Sequence, residues 1–344
     1  MDTYTFSATP YCGVEDEILQ LRNANRTVAQ TRNYLDWRYA KSVDAPKPLV
    51  FWIRSMTGKA VGMASLIFRP YWVNNRQIYL GVLGDISLDE DLRGKGLGRQ
   101  ILEYIKHYLA QHMPDQAAFV IPNEAAQKSL NSAGWEIGGR LVPYVLPLTL
   151  ADRMTQVLKN SFLTTLANKL IRQLISIVTR LHIRNQYSLQ IVTQPDASFE
   201  ALWSAIPKVN MILSGRGLDS LTWRYIRHPH EKFNIAKLLK QDEIAGYLIF
   251  TASQSNRTFY IYDLIVKEQK DLLCMLALFL KQTTQHRDLS SVRLVLSDKH
   301  PYCKSLWKLG FIQRKDKTTF HVYWPDGHAH GDVNWALSLG DKDV

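Results

Sequence analysis

The chain has 344 residues, 46% hydrophobic and 21% charged, with a formal net charge of +11. That is enough for two domains, each with its own core, and it leaves no tract biased enough to stay disordered. Cys12, Cys274 and Cys303 are too few for a disulfide framework and lack metal-ligand spacing. No secretory signal and no stretch of roughly 18–20 apolar residues is present, so a cytoplasmic protein is expected, with peripheral membrane association as the alternative.

In chain order, apolar patterning predicts strands near residues 3–8, 49–56, 61–68, 77–88 and 117–121, and helices near 96–111 and 124–133. A mixed sheet flanked by helices, an α/β (α+β layered) domain, follows for residues 1–150. From Ala151 to Arg184 the chain lacks Pro and Gly and carries an apolar stripe through Leu163, Leu166, Leu170, Leu174, Ile177 and Leu181. Arg153, Lys159, Lys169, Arg172, Arg180 and Arg184 stand there against the single acid Asp152. The expectation is a helical linker over 151–186, packed between two domains with its basic face in water. The alternative is an amphipathic segment lying on an anionic membrane surface.

Residues 187–344 read as a second copy of the first domain. Tyr34-Leu35-Asp36-Trp37-Arg38-Tyr39 returns as Ser220-Leu221-Thr222-Trp223-Arg224-Tyr225. The first copy continues with Val61-Gly62, Asp85-Ile86-Ser87-Leu88 and Ala133-Gly134-Trp135. The second continues in the same order with Ala245-Gly246, Asp263-Leu264-Ile265-Val266 and Leu309-Gly310-Phe311. Trp37 and Trp223 read as core residues, or else as a wall for a sugar. His228, His230 and His300 read as surface groups.

The segment carrying the most chemistry is Arg93-Gly94-Lys95-Gly96-Leu97-Gly98-Arg99, which opens the helix after the fourth strand. Closely spaced glycines let backbone N–H groups approach an anion, and the helix terminus adds unpaired donors and partial positive charge. Three basic side chains surround the same spot, which makes a pyrophosphate cradle. Gly98 is followed by Arg99-Gln100 rather than Lys-Ser/Thr, so a P-loop is unsupported. The position after a late strand of a meander also disfavours a dinucleotide fingerprint.

The loop resembles the pyrophosphate loop of the GNAT superfamily, of the form Arg/Gln-x-x-Gly-x-Gly/Ala, through Arg93, Gly96 and Gly98. A second signature, an Asn opening a helix that ends in Gly plus an aromatic, is matched by Asn123, Ala126 and Gly134-Trp135. The resemblance implies two GNAT-like domains and an acetyl-CoA or other acyl-CoA cosubstrate. It implies pantetheine lying between splayed strands, against Ile86, Ser87 and Leu88 on one wall and Val120 and Ile121 on the other. Asn123 would sit beside the pantetheine arm, or serve only as a helix N-cap.

By the same resemblance Asp85 is the candidate general base, a carboxylate on the fourth strand. It is equally a structural anchor for Arg38, since Asp263 and Arg224 recur in the second copy. The family's tyrosine acid is replaced by Leu130, and by Leu306 in the second copy, so the thiolate leaves without a protein acid or another group such as Tyr144 or Ser129 serves. The stretch aligned with the glycine loop, Glu268-Gln269-Lys270-Asp271-Leu272-Leu273, has no glycine and two carboxylates. The second copy is therefore expected to be degenerate and to shape the acceptor cleft.

The reading implied is an acyl-CoA-dependent N-acyltransferase acting on an amine of a small metabolite, an amino sugar among the candidates. The alternatives are an aminoacyl-tRNA-dependent Fem-like transferase and a non-catalytic module binding membrane or nucleic acid. The glycine loop disfavours the tRNA-dependent reading, and a nucleic-acid partner with it.

Overall fold

The computed structural model describes residues 4–25, 28–40, 44–149, 161–283, 289–325 and 333–342. The N-terminal half runs β1 (Thr5–Pro10), α1 (Glu15–Ala24), α2 (Arg32–Arg38), β2 (Leu49–Arg54), β3 (Ala60–Val73), β4 (Arg76–Leu88), α3 (Leu97–His112), β5 (Ala118–Val120), α4 (Glu124–Ser132) and β6 (Glu136–Pro147). α5 (Ser161–His182) leads into β7 (Tyr187–Val192), α6 (Ala197–Ala205), β8 (Met211–Ser214), β9 (Asn234–Lys240), β10 (Glu243–Ser253) and β11 (Thr258–Val266). The chain ends with α7 (Asp271–Thr283), β12 (Ser291–Ser297), β13 (Ile312–Gln313), β14 (Thr318–Tyr323) and β15 (Asn334–Trp335). The layered α/β architecture expected from the sequence is the one observed.

Each half buries its helices on both faces of a sheet. In the first, α3 presents Leu97, Ile101, Ile105 and Leu109 at helical spacing to Phe51, Leu66 and Phe68. On the other face Ile18 and Leu21 of α1 and Leu35 of α2 cover Val50, Trp52 and Ile67. The second half repeats the pattern with α7 over Ile261, Leu264 and Leu294.

The two sheets are one. Among the described residues fifteen strands join, and the main path runs β1-β2-β3-β4-β5-β14-β6-β12-β11-β10-β9-β7. The junction is an exchange between halves that the sequence reading did not contain. β14, from the C-terminal half, pairs antiparallel with β5 through His321↔Val120 and Val322↔Phe119. β6, from the N-terminal half, continues past it to pair with β12 from Leu141↔Ser297 to Pro147↔Ser291. Burial follows the exchange: His321, on β14, bonds Asn131 of α4 at 2.8 Å.

The repeated Trp-Arg-Tyr segments meet as symmetry mates. Trp37 Nε1 donates to the Trp223 carbonyl at 2.7 Å, Trp223 Nε1 donates to the Trp37 carbonyl at 2.9 Å, and the rings stack at 5.4 Å. Each residue contacts its own counterpart, which is the signature of a local two-fold relation between the copies. Arg69 crosses the same junction: it donates to the carbonyls of Arg38 and Ala40 at the end of α2 and lies 4.1 Å over the Trp223 ring.

α5 departs from the packed-linker expectation. It docks on the C-terminal core through Ile171, Ile175 and Val178, while Leu166, Leu170, Leu174, Ile177 and Leu181 of the predicted stripe are exposed. The Leu163 side chain and residues 151–160 lie outside the described residues. No helix among the described residues is long and apolar enough to cross a membrane.

Candidate active site

β4 and β5 run parallel and pair only at Gly81↔Ala118 and Val82↔Phe119. Beyond those residues they diverge around a cleft of about 250 Å3 lined by Leu83, Gly84, Asp85 and Ile86 on one side and Val120, Ile121 and Asn123 on the other. On the β3 side, Met63 pairs with Ser87 but Ser65 pairs with Gly84, so β4 carries one extra residue across Asp85 and Ile86. Asp85 takes the left-handed conformation there, with φ +53°. Ser87 and Leu88 continue the bulged strand, half-buried, toward the glycine loop.

At the end of β4 the chain makes one turn and enters the loop. Gly94 and Gly96 have φ +79° and +81°, and Gly96 is the N-cap of α3. The side of Gly94 where a Cβ would stand is open, and at Gly96 the nearest atom to such a Cβ is Gln100 Nε2 at 3.9 Å. The amides of Leu97 and Gly98, in the first turn, have no helix carbonyl to bond. Gly98 lets α3 approach α4, since a Cβ there would stand 3.1 Å from Ser129 Oγ. Arg93 reaches back to Asn25 Oδ1 at 3.1 Å, Arg99 pairs with Glu103 at 2.7 Å, and Lys95 is exposed. The loop, the helix terminus and the splay are thus contiguous.

Asp85 is heavily bonded. Its Oδ1 lies 2.8 Å from Arg22, and its Oδ2 accepts from Arg38 Nε at 3.0 Å, the Tyr39 hydroxyl at 2.8 Å and the Ser65 hydroxyl at 3.2 Å. A Cβ at Gly84 would stand 2.5 Å from Arg38 Nη2, so glycine leaves room for that ion pair. Asn123 lines the cleft and also caps α4, its side chain accepting from Ala126 N–H at 2.9 Å.

The tyrosine candidate is elsewhere. Tyr144 sits on β6 opposite Leu294, packed in the core of the C-terminal half beside Cys303, and does not line the cleft. The exchange of β6 carries it away, which corrects the expectation of an acid at this position. Leu130 and Leu306 are fully buried core residues.

A second cleft, about 340 Å3, opens between the halves and is walled by Trp37, Phe233, Tyr225 and Tyr262, with Glu231 and His228 alongside. Tyr34 and Lys342 line both clefts, so the two are adjacent. The sequence reading missed both residues. Burial lowers the His228 imidazole below its usual range, and its Nδ1 accepts from the Glu231 N–H at 2.9 Å, so the ring is held neutral. Burial, then the neighbouring Glu231, raises Tyr262 to about 12.

The C-terminal turn completes this wall. Asp341 is buried between Arg216 at 3.0 Å and Arg224 at 3.2 Å. Burial opposes its charge, but the two guanidinium groups prevail and lower it to about 2. Asp263, the counterpart of Asp85, bonds Arg216 at 2.8 Å and the Tyr225 hydroxyl at 3.1 Å. The aspartate recurs in the second copy with its tyrosine, but Arg224 turns to Asp341, in the turn after β15, instead.

The second copy's own splay holds a cleft of about 220 Å3 lined by Leu264, Ile265 and Val266 on one side and His300, Pro301 and Tyr302 on the other, beside a loop without glycine. β11 and β12 pair from Thr258↔Ser291 to Ile261↔Leu294, and beyond them the Val266 N–H donates to the Tyr302 hydroxyl at 3.1 Å. At the stretch aligned with the glycine loop, Asp271 is buried and receives the Tyr187 hydroxyl at 2.7 Å, while Lys270 pairs with Glu268. His300, expected at the surface, is 6% exposed, and its Nδ1 accepts from the Tyr302 N–H.

Burial lowers His300 to about 3, with Arg216 adding to the shift. The unfolded chain therefore takes up a proton near pH 6.5 that the folded chain refuses. This contribution is fully present above that pH and declines as pH falls toward 3, at about 1.4 kcal/mol per pH unit. Denaturant titrations of His300→Gln are expected to lose that slope.

Residues 16–135 match the model described as Acetyltransferase (GNAT) family. The fold as a whole is similar to that of a probable N-acyltransferase of unknown function from Enterococcus faecalis V583, with TM-score 0.66 and 11% identity over 94% of this chain and 73% of that one. It is similar to a GCN5-related N-acetyltransferase from Anabaena variabilis, with TM-score 0.64 and 12% identity over 94% and 73% of the two chains. It is also similar to a tandem GNAT protein from the clavulanic acid biosynthesis pathway, with TM-score 0.55 and 13% identity over 94% and 99%. No curated protein sequence matches the chain. The molecule thus has the mixed α/β fold of tandem GNAT proteins. Its N-terminal half carries the segment that matches the GNAT acetyltransferase family model.

Proposed function

We propose that the chain is an acyl-CoA-dependent N-acyltransferase whose cosubstrate binds in the N-terminal half. The observation that carries this reading is the continuity of three features: the glycine loop at the start of α3, the bulge in β4 and the splay between β4 and β5. The pyrophosphate of acetyl-CoA or another acyl-CoA would meet the amides of Gly96 to Gly98 with Arg93, Lys95 and Arg99 around them. Pantetheine would enter the splay beside Ile86 and Asn123, with its thioester directed at the junction lined by Tyr34.

The acceptor would arrive through the second cleft. An aromatic wall on which Glu231 supplies a carboxylate beside Arg224 and Lys342 suits a small polar molecule bearing an amine, the class to which amino sugars belong. After losing a proton, the amine nitrogen attacks the thioester carbonyl carbon. The tetrahedral adduct then gives up its extra N–H proton to water and expels the coenzyme A thiolate, which takes up a proton. Tyr34, the tyrosine that lines both clefts, is the proton donor we assign to that step. Asp85 we assign to positioning: its oxygens already accept bonds from two guanidinium groups and two hydroxyls, which leaves little capacity to take a proton.

Thiol release from acetyl-CoA in the presence of a panel of small amines tests the reading. Amine-dependent release is expected, with kcat reduced by about a hundredfold in Tyr34→Phe and acetyl-CoA binding unchanged. Release that no amine accelerates would refute the acyltransferase reading. Full kcat in Tyr34→Phe would remove only the assignment of that tyrosine.

A further inference from the structure

α5 has two apolar faces, and only one is covered. Ile171, Ile175 and Val178 pack into the C-terminal core. Leu166, Leu170, Leu174, Ile177 and Leu181 form a continuous stripe on the outside, 45%, 51%, 61%, 56% and 77% exposed. Isolated apolar side chains on a surface need no explanation, but five large aliphatic ones in a row on one helix do.

Charge identifies the occupant. Lys169 and Arg180 are exposed on the turns that carry the stripe. The helix has no acidic residue from Ser161 to His182. We propose that this stripe docks onto an anionic lipid surface, the leucines entering the acyl boundary and Lys169 and Arg180 meeting headgroup phosphates. A second copy of the same helix would bring cation to cation with no acid to pair them, in either orientation. The helix would lie in the interface rather than span it, in keeping with its interrupted hydropathy.

Sedimentation of the full chain with vesicles of phosphatidylcholine, with and without phosphatidylglycerol, tests the proposal. Binding is expected only to the anionic vesicles and is expected to weaken at high salt. Leu170→Glu with Leu174→Glu should lower vesicle affinity by about a hundredfold, since each leucine taken out of water is worth a decade or so. Lys169→Glu with Arg180→Glu, which leaves the stripe intact, should weaken binding to anionic vesicles as well. In both variants the acetyl-CoA affinity and the circular dichroism spectrum should match the parent chain. No binding to anionic vesicles, or equal binding by the leucine variant, would overturn the proposal. So would a dimer in light scattering that the leucine variant abolishes, because a second copy would then be the occupant.

Discussion

Asp85→Asn is expected to destabilise the protein by about 3–5 kcal/mol, the usual cost of removing one partner from a buried ion pair. The isosteric amide keeps the shape but leaves Arg22 and Arg38 buried around a neutral group. Tyr39 and Ser65 also lose a charged acceptor. The loss should appear as a lower denaturant midpoint with an unchanged slope. Activity of the fraction that remains folded should fall only as far as the junction between α1, α2 and β4 is disturbed. A variant as stable as the parent chain yet without turnover would instead make Asp85 the general base. The two roles predict opposite patterns, so one preparation decides between them.

Arg93→Glu combined with Gly96→Glu is expected to weaken acyl-CoA binding by about 3 kcal/mol or more, roughly a hundredfold in Kd. One substitution replaces a cation with an anion beside the loop. The other forces a side chain with a Cβ into φ +81° and adds a second negative charge at a helix N-terminus. The loop is solvent-exposed, so the stability cost should stay near the roughly 1–2 kcal/mol of a side chain in the left-handed region. Isothermal calorimetry with acetyl-CoA reads the affinity directly. Affinity equal to that of the parent chain would mean that the loop is not the phosphate site. The aligned segment of the second copy, with Glu268 and a buried Asp271, already resembles the disabled variant.

The parts of this molecule written in local pattern were legible in its sequence. The α3 stripe, the glycine loop and the order of strands follow from spacing alone, and the Trp-Arg-Tyr repeat announced two copies. Partner choice between strands was not legible. Alternation along β6 and β14 says which face is buried but not which neighbour lies alongside, so the exchange that removes Tyr144 from the site leaves no local mark. Arg22 left a faint one: it lies on the same face of α1 as Ile18 and Leu21, where a charge is out of place unless paired. Arg216 and Asp341 are far from Asp263 in the chain and carry no spacing signal. α5 misled for another reason. Its sequence is apolar on two faces, and periodicity cannot tell which one the rest of the protein covers.

The central claim is that only the N-terminal splay takes acyl-CoA, although the fold contains two. A crystal structure with coenzyme A bound tests it most directly. The pyrophosphate is expected at Gly96 to Gly98 and the pantetheine arm between β4 and β5, ending near Tyr34, while the cleft beside Val266 and Tyr302, which has no glycine loop next to it, stays empty. Coenzyme A seated between β11 and β12, or on neither splay, would contradict the account.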